Sequence, residues 1–187
     1  MRTAIQKPIA AAAALFAVHG VVLYWLGQPL ICACGYITFY VRDIMSVQMS
    51  QQLFDWYTFS HVIHGFIFYL ILKWIFPKMS VWWRFAIAVG IEGAWEIAEN
   101  TPWVIEAYRQ QALAKGYVGD SIINSLMDNV SMAVGFIMAW KLPWKWTVAL
   151  AIVMELAVLY FIRDNLTLNV LGFIHNFEFI NEWQMGR

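Results

Sequence analysis

Glu92, Glu96 and Glu99 stand at i, i+4 and i+7 in the stretch Gly90–Pro102, within an apolar run long enough to cross a bilayer. On a helix that spacing stacks three carboxylates on one face. A single carboxylate inside a membrane costs at least about 2.5–3 kcal/mol, so the row needs an answer: a metal, a cationic ligand, protons or donors from other helices. His61 and His64, at i, i+3, and Asp120 and Asp128, at the start of a later apolar run, are the residues placed to give one. Two imidazoles with several carboxylates suit zinc, iron or manganese, with His61, His64, Glu92, Glu96, Asp120 and Asp128 as candidate ligands. The resemblance to di-metal helical bundles is by composition alone, because their Glu-x-x-His pairing is absent. Such an ion could support hydrolysis of a lipid-linked substrate. Without a metal, Glu96 or Glu99 could act as a general acid beside a carboxylate base, and Asp120 completes that candidate catalytic set.

A structural alternative stands beside the chemical one, since intramembrane His and Glu also hydrogen-bond across helices and fix a bundle. Three glutamates on one face, meeting two histidines and two aspartates, favour function over structure alone. His19 and His175 are lone residues flanked by apolar ones and read as structural. Arg163 and Asp164 read as an interfacial ion pair at a helix end, and Asp55-Trp56-Tyr57 as an interface anchor.

Cys32 and Cys34 are one residue apart, a poor match to zinc spacing and a strained disulfide. They are a candidate redox pair or a soft-metal site, for copper, with Met45 and Met49 nearby; the alternative is two small turn residues. If helix 1 ends near Leu26, both lie on the oxidising side. There they are expected to be joined, to each other or across a dimer, or to hold metal.

These side chains need apolar elements to position them. Of 187 residues, 61% are hydrophobic and only 13% charged, far from the soluble average and in the membrane class. Net charge is zero, which leaves no basic footprint for nucleic acid. Eleven Trp and eight Tyr suit two interfacial aromatic belts. The pattern predicts one all-α transmembrane domain over residues 1–187, a polytopic bundle of about five helices at 8–26, 58–76, 81–104, 120–140 and 146–162. Thr58 or Ser60 can cap the second, Pro77 stops it, and Thr101-Pro102 breaks or kinks the third. Residues 28–55 and 166–187 read as interfacial segments on the outer surface, and Glu106–Gly119 as a polar outer loop. Seven of the twelve Lys and Arg, Arg2 among them, fall at inner helix ends or loops, and none of the twelve Asp and Glu does. The basic bias places the amino terminus inside and the carboxyl tail outside. With a rise of about 1.5 Å per residue, the histidines, glutamates and aspartates then share one depth in the outer leaflet.

Cys32-x-Cys-Gly35, Phe54-Asp55-Trp56-Tyr57, Ser60-His61-x-x-His64-Gly65, Trp95-Glu96-x-x-Glu99-Asn100-Thr101-Pro102, Gly119-Asp120-Ser121-x-x-Asn124-Ser125 and Ile162–Asn169 occur in that order. In this combination, from about Leu23 to the end, the chain resembles a bacterial inner-membrane family known as a domain of unknown function. The resemblance implies a multi-pass protein of the cell's inner membrane and no activity. More loosely, His on one helix, Glu on the next and Gly-Asp…Asp on a third is similar to the VanZ-like membrane proteins, associated with glycopeptide resistance. That likeness implies binding of a lipid or lipid headgroup. Three classes of function are open: an intramembrane enzyme or metal protein, a lipid binder whose cluster opens sideways to the leaflet, and an accessory subunit of a larger membrane complex. A single five-helix unit without an inverted repeat argues against a transporter.

Overall fold

The computed structural model describes residues 2–186 and is all-helical, with eight helices among the described residues. Five are long: α1 (Arg2–Trp25), α2 (Thr58–Ile75), α3 (Val81–Glu99), α5 (Ile122–Lys141) and α6 (Trp144–Ile162). Three short ones, α4 (Pro102–Arg109), α7 (Leu166–Ile174) and α8 (Glu178–Gln184), lie at one end of the bundle. Four of the long helices, α1, α2, α5 and α6, are long and apolar enough to cross a membrane. The fifth, α3, is of similar length but carries Arg84 and the three glutamates.

Local chemistry sets the boundaries. Ser80 caps α3 by accepting from the Trp83 amide, Ser121 caps α5 by accepting from Asn124, and Asn165 caps α7 by accepting from Leu168. Neither Thr58 nor Ser60 caps α2. Tyr57 is its N-cap without a side-chain bond, and Thr58 Oγ1 instead accepts from the Asp55 amide. The third helix stops at Glu99 rather than running on to Val104. Asn100 and Thr101 leave the helical conformation and Pro102 opens α4 in the first turn, where its missing N–H costs nothing. Part of the expected outer loop, residues 102–109, is therefore helical.

The bundle is built from two intimate pairs, α2 with α5 and α1 with α3, and α5 touches all the other long helices. Glycines set the closest crossing. A Cβ on Gly65 would run into the backbone of Met132 and Gly135, and one on Gly135 into the Val62 carbonyl. Each glycine occupies space the partner helix needs, the small-residue device of membrane helices. Looser contact lets α1 meet α3, with Leu15 beside Gly90 and His19 beside Gly93. Helix α6 buries little, only Val158 and Ile162, and leaves Ile152, Val153, Leu156, Tyr160 and Phe161 exposed.

The interior divides along its length. Ala12, Leu72, Ala86, Ala88, Val89, Met132 and Phe136 form an apolar half. Beyond it, the buried residues turn polar: His19, Glu92, Glu96, Ser125, Asp128 and Asn129. Lys7, Lys73, Lys78, Arg84, Lys141 and Lys145 lie on helix ends or turns at the apolar end; the Arg2 side chain, counted in the same charge pattern, lies outside the described ones.

Residues 28–55 contain no helix and do more than lie on a surface. Gln51, Gln52 and Asp55 are buried, and the segment accepts from the start of α5 through Ser121 N to Ser50 O, Ile122 N to Pro29 O and Ile123 N to Leu30 O. Asn124 also donates to the Gln52 carbonyl, and Gln51 to that of Gly119. The segment is a lid sealed to α5 by hydrogen bonds. Within it Cys32 and Cys34 are joined to each other in a disulfide, so neither thiol is free for a soft metal.

Candidate functional site

The polar half of the interior begins on α3, where Glu92 is fully buried and Glu96 is 1% exposed. One turn of α2 faces it. His61 Nδ1 lies 2.6 Å from Glu92 Oε1, and His64 Nδ1 is 3.2 Å from both Glu92 oxygens. A carboxylate can only accept, so with Glu92 ionised both imidazoles donate from Nδ1, and each ring when neutral keeps a lone pair on Nε2. That is the geometry by which a carboxylate orients histidines for a cation. His61 Nε2 lies 3.8 Å from Asp128 Oδ2, contributed by α5. Glu96 Oε1 stands 3.3 Å from His61 Nδ1, whose proton goes to Glu92. Glu96 Oε1 is therefore buried without a hydrogen-bond partner, and Asp128 Oδ1 is buried without one as well.

Three sets of side chains are close enough to hold a metal ion: His61, His64 and Glu92; His61, Glu96 and Asp128; and Glu96, Glu99 and Asp120. The first two sets share His61 and the last two share Glu96, so His61, His64, Glu92, Glu96, Glu99, Asp120 and Asp128 adjoin one another, whereas Cys32 and Cys34 lie in the lid. No Lys or Arg pairs with the cluster among the described residues: Arg109 pairs with Glu106 and donates to the Tyr117 carbonyl, and Arg163 donates to the Trp183 carbonyl.

Asp120 is placed by a clamp at the ends of two helices. Asn100 Nδ2 donates to the Glu96 carbonyl and at 2.6 Å to Asp120 Oδ2, while Asn100 Oδ1 accepts from the Asp120 amide at 2.7 Å. Tyr117 donates its hydroxyl to the other Asp120 oxygen at 3.0 Å. Asn100 therefore locks the C-terminus of α3 to the entry of α5, and Glu96, Glu99 and Asp120 with it.

Several residues enter the site against expectation. His19, read from the sequence as structural, is 1% exposed, and its Nε2 meets Ser125 Oγ at 2.9 Å. Ser125 Oγ donates to Glu96 Oε2 at 2.5 Å, so a chain His19–Ser125–Glu96 runs from α1 through α5 to α3. Arg163 and Asp164 form no ion pair. Arg163 ends α6 in the left-handed region (φ 57°) and turns outward, whereas Asp164 turns in to accept from Tyr57, Asn165 and Asn169. Burial pushes Asp164 up to about 6 in spite of those three donors. Asp55 is buried as well and accepts from the Ser50 and Tyr57 amides, and of the expected interface anchor Tyr57 faces the site. His175 is exposed and remote from the cluster, beside Phe177. The only sequence signal for His19 was its place in an apolar run, and for Tyr57 its place beside Asp55.

A cavity of about 400 Å³ opens onto the cluster. Its polar end is lined by His61, His64, Glu99, Asp120 and Asp128 with Tyr57, Tyr108 and Tyr117. Ile67 and Phe68 of α2 and Ile91 and Trp95 of α3 line its apolar end, and Val170 and Phe173 of α7 line it too, with Phe173 packed against Tyr108 at a ring-centroid distance of 4.5 Å. Ile67 and Ile91 are 41% and 42% exposed, so the apolar end continues onto the outer face of the bundle between α2 and α3.

Fold and site together define an all-helical bundle with membrane-length helices and a buried His/Glu/Asp cluster beneath an amphipathic cavity. The chain belongs to the family described as "Protein of unknown function (DUF2585)", whose model matches residues 23–186. It is 50% identical to a UPF0314 protein of Sphingopyxis alaskensis over 94% of this chain and 93% of the relative. A UPF0314 protein of Brucella anthropi is 47% identical over 92% of this chain and 88% of the relative, and UPF0314 protein R03235 of Rhizobium meliloti 48% over 92% and 87%. No solved structure matches this chain.

Proposed function

We propose that this is a multi-pass protein of the bacterial inner membrane that binds a divalent transition metal, zinc, iron or manganese, and uses the site on a lipid-linked substrate. Two orphaned oxygens carry the proposal. Glu96 Oε1 and Asp128 Oδ1 are buried without partners in the set that also contains His61. Buried carboxylate oxygens left unpaired are costly, and a dication answers two carboxylates at once while accepting neutral imidazole as a further ligand. His61, Glu96 and Asp128 are the first candidates to hold it, with His64 in reach. Glu92 orients the two rings, and Ser125 with His19 behind it orients Glu96. When bound, such an ion supplies Lewis acidity for hydrolysis. Glu99 and Asp120, on the cavity wall, are then the residues placed to move protons at a bound substrate.

The test is elemental analysis of protein purified without chelators. About one equivalent of zinc, iron or manganese is expected, with the metal lost in His64→Ala and in Glu96→Gln. A metal-free wild type whose variants keep full thermal stability and phenotype overturns both the metal and the proton-transfer roles of the cluster.

A second possibility is supported by the cavity's apolar end, which is exposed between α2 and α3: a lipid binder in which the cluster receives a headgroup without chemistry. Both possibilities share one orientation, amino terminus inside and cavity in the outer leaflet, which rests on the basic residues at the apolar end of the bundle. Reporter fusions at Met79 and Lys115 are expected to report inside and outside respectively. The opposite result turns the cavity towards the cytoplasm.

A further inference from the structure

The cavity's lining restricts what can enter it. At its polar end it presents Glu99, Asp120 and Asp128 and no Lys or Arg. Asp128, 4% exposed, lines the same end, and its Oδ1, itself buried, has no partner. Three tyrosines surround the same end. Tyr57 is turned by its bond to Asp164 and Tyr117 by its bond to Asp120, while Tyr108 packs against Tyr117 at a ring-centroid distance of 5.2 Å. Carboxylates among aromatic faces attract an ammonium and repel a bare phosphate or carboxylate. At the apolar end, Ile67, Phe68, Ile91 and Trp95 line a channel that meets the outer face of the bundle at Ile67 and Ile91. An alkyl tail lying there gains burial without leaving hydrocarbon surroundings, and its head is drawn up to the acids.

We propose that the cavity binds an amphiphile whose head is a protonated amine and whose tail leaves between α2 and α3. This deepens the lipid-facing part of the proposed function and rests on the cavity rather than on the metal. The amine could be the headgroup of an ethanolamine phospholipid or that of a free long-chain amine, and the two sources can be told apart.

The experiment uses the full chain in uncharged maltoside micelles, titrated with hexadecylamine, hexadecanol and palmitic acid and read by native mass spectrometry, with and without a chelator. Hexadecylamine is expected to bind at least about tenfold more tightly than hexadecanol, a difference of about 1.4 kcal/mol, and palmitate least. Glu99→Gln should remove most of that preference. Ile91→Trp, which fills the mouth and leaves every charge in place, should weaken all three ligands together. In lipid nanodiscs, retention of ethanolamine phospholipid over glycerol phospholipid assigns the headgroup as source. Hexadecylamine binding without such retention assigns a free amine. Hexadecanol binding as tightly as hexadecylamine, or an unchanged preference in Glu99→Gln, overturns the proposal. Amine preference that persists in the chelator-treated protein upholds the cavity independently of the metal; metal bound in protein purified without chelators, with no amine preference, upholds the metal and overturns the cavity proposal.

Discussion

Replacing His61 by alanine is expected to destabilise the protein by about 3 kcal/mol, the largest effect of any single substitution in the cluster. His61 is the hub of the site: its ring lies 2.6 Å from Glu92, 3.3 Å from Glu96 and 3.8 Å from Asp128. Removing it takes the short bond from Glu92 and leaves the Glu96 and Asp128 carboxylates facing an empty space. Glu92 keeps only His64, at 3.2 Å. A hydrogen bond to a charged group contributes roughly 1.5–3 kcal/mol, and stranding its buried partner adds a desolvation cost. Thermal unfolding in detergent measures the loss. His64→Ala, on the cavity wall with a longer bond, is expected to cost less. A His61→Ala protein that melts with the wild type would mean that the carboxylates are satisfied by something other than this imidazole.

The second large effect lies in the apolar half. Gly135→Val is expected to cost about 1–3 kcal/mol or more, because the added atoms would meet the Val62 carbonyl, which is backbone and cannot rotate away. Gly65→Ala faces the same obstacle in the backbone of Met132 and Gly135. Gly90→Ala is the control, since there the neighbour is the end of the flexible Leu15 side chain. Melting temperatures of the three variants decide the matter. If Gly135→Val melts no lower than Gly90→Ala, the α2–α5 crossing is not tightly packed. The effect should reach the site as well, because the same two helices carry His61, His64 and Asp128.

Much of the architecture was legible in the sequence for a physical reason. A helix that must lie in hydrocarbon has to be apolar over about 20 residues, so α1, α2, α5 and α6 announce themselves by composition. Charged residues are so costly there that Glu92, Glu96, Glu99, His61, His64 and Asp128 stand out against that background, and their common depth follows from a fixed rise per residue. The stop of α3 was legible in part: Pro102 marks a break, but the last helical residue depends on Asn100 turning to clamp Asp120.

What sequence could not supply was direction around each helix axis and contact across the chain. His19 lies 106 residues from Ser125, and only packing α1 against α3 and α5 brings the two within 2.9 Å. Its apolar neighbours in sequence gave it a structural reading, whereas its neighbours in space connect it to Glu96. Arg163 and Asp164 are adjacent in the chain and opposite in charge, which suggested a pair. The left-handed turn at Arg163 sends one side chain out to Trp183 and the other in to Tyr57. The lid formed by residues 28–55 was hidden because its stability comes from backbone carbonyls meeting the start of α5, and carbonyls leave no mark on residue type. The cavity was hidden for the same kind of reason: its walls come from α2, α3, α4, α5, α7 and the loops between them, and only their arrangement in space leaves a space with acid at one end and hydrocarbon at the other.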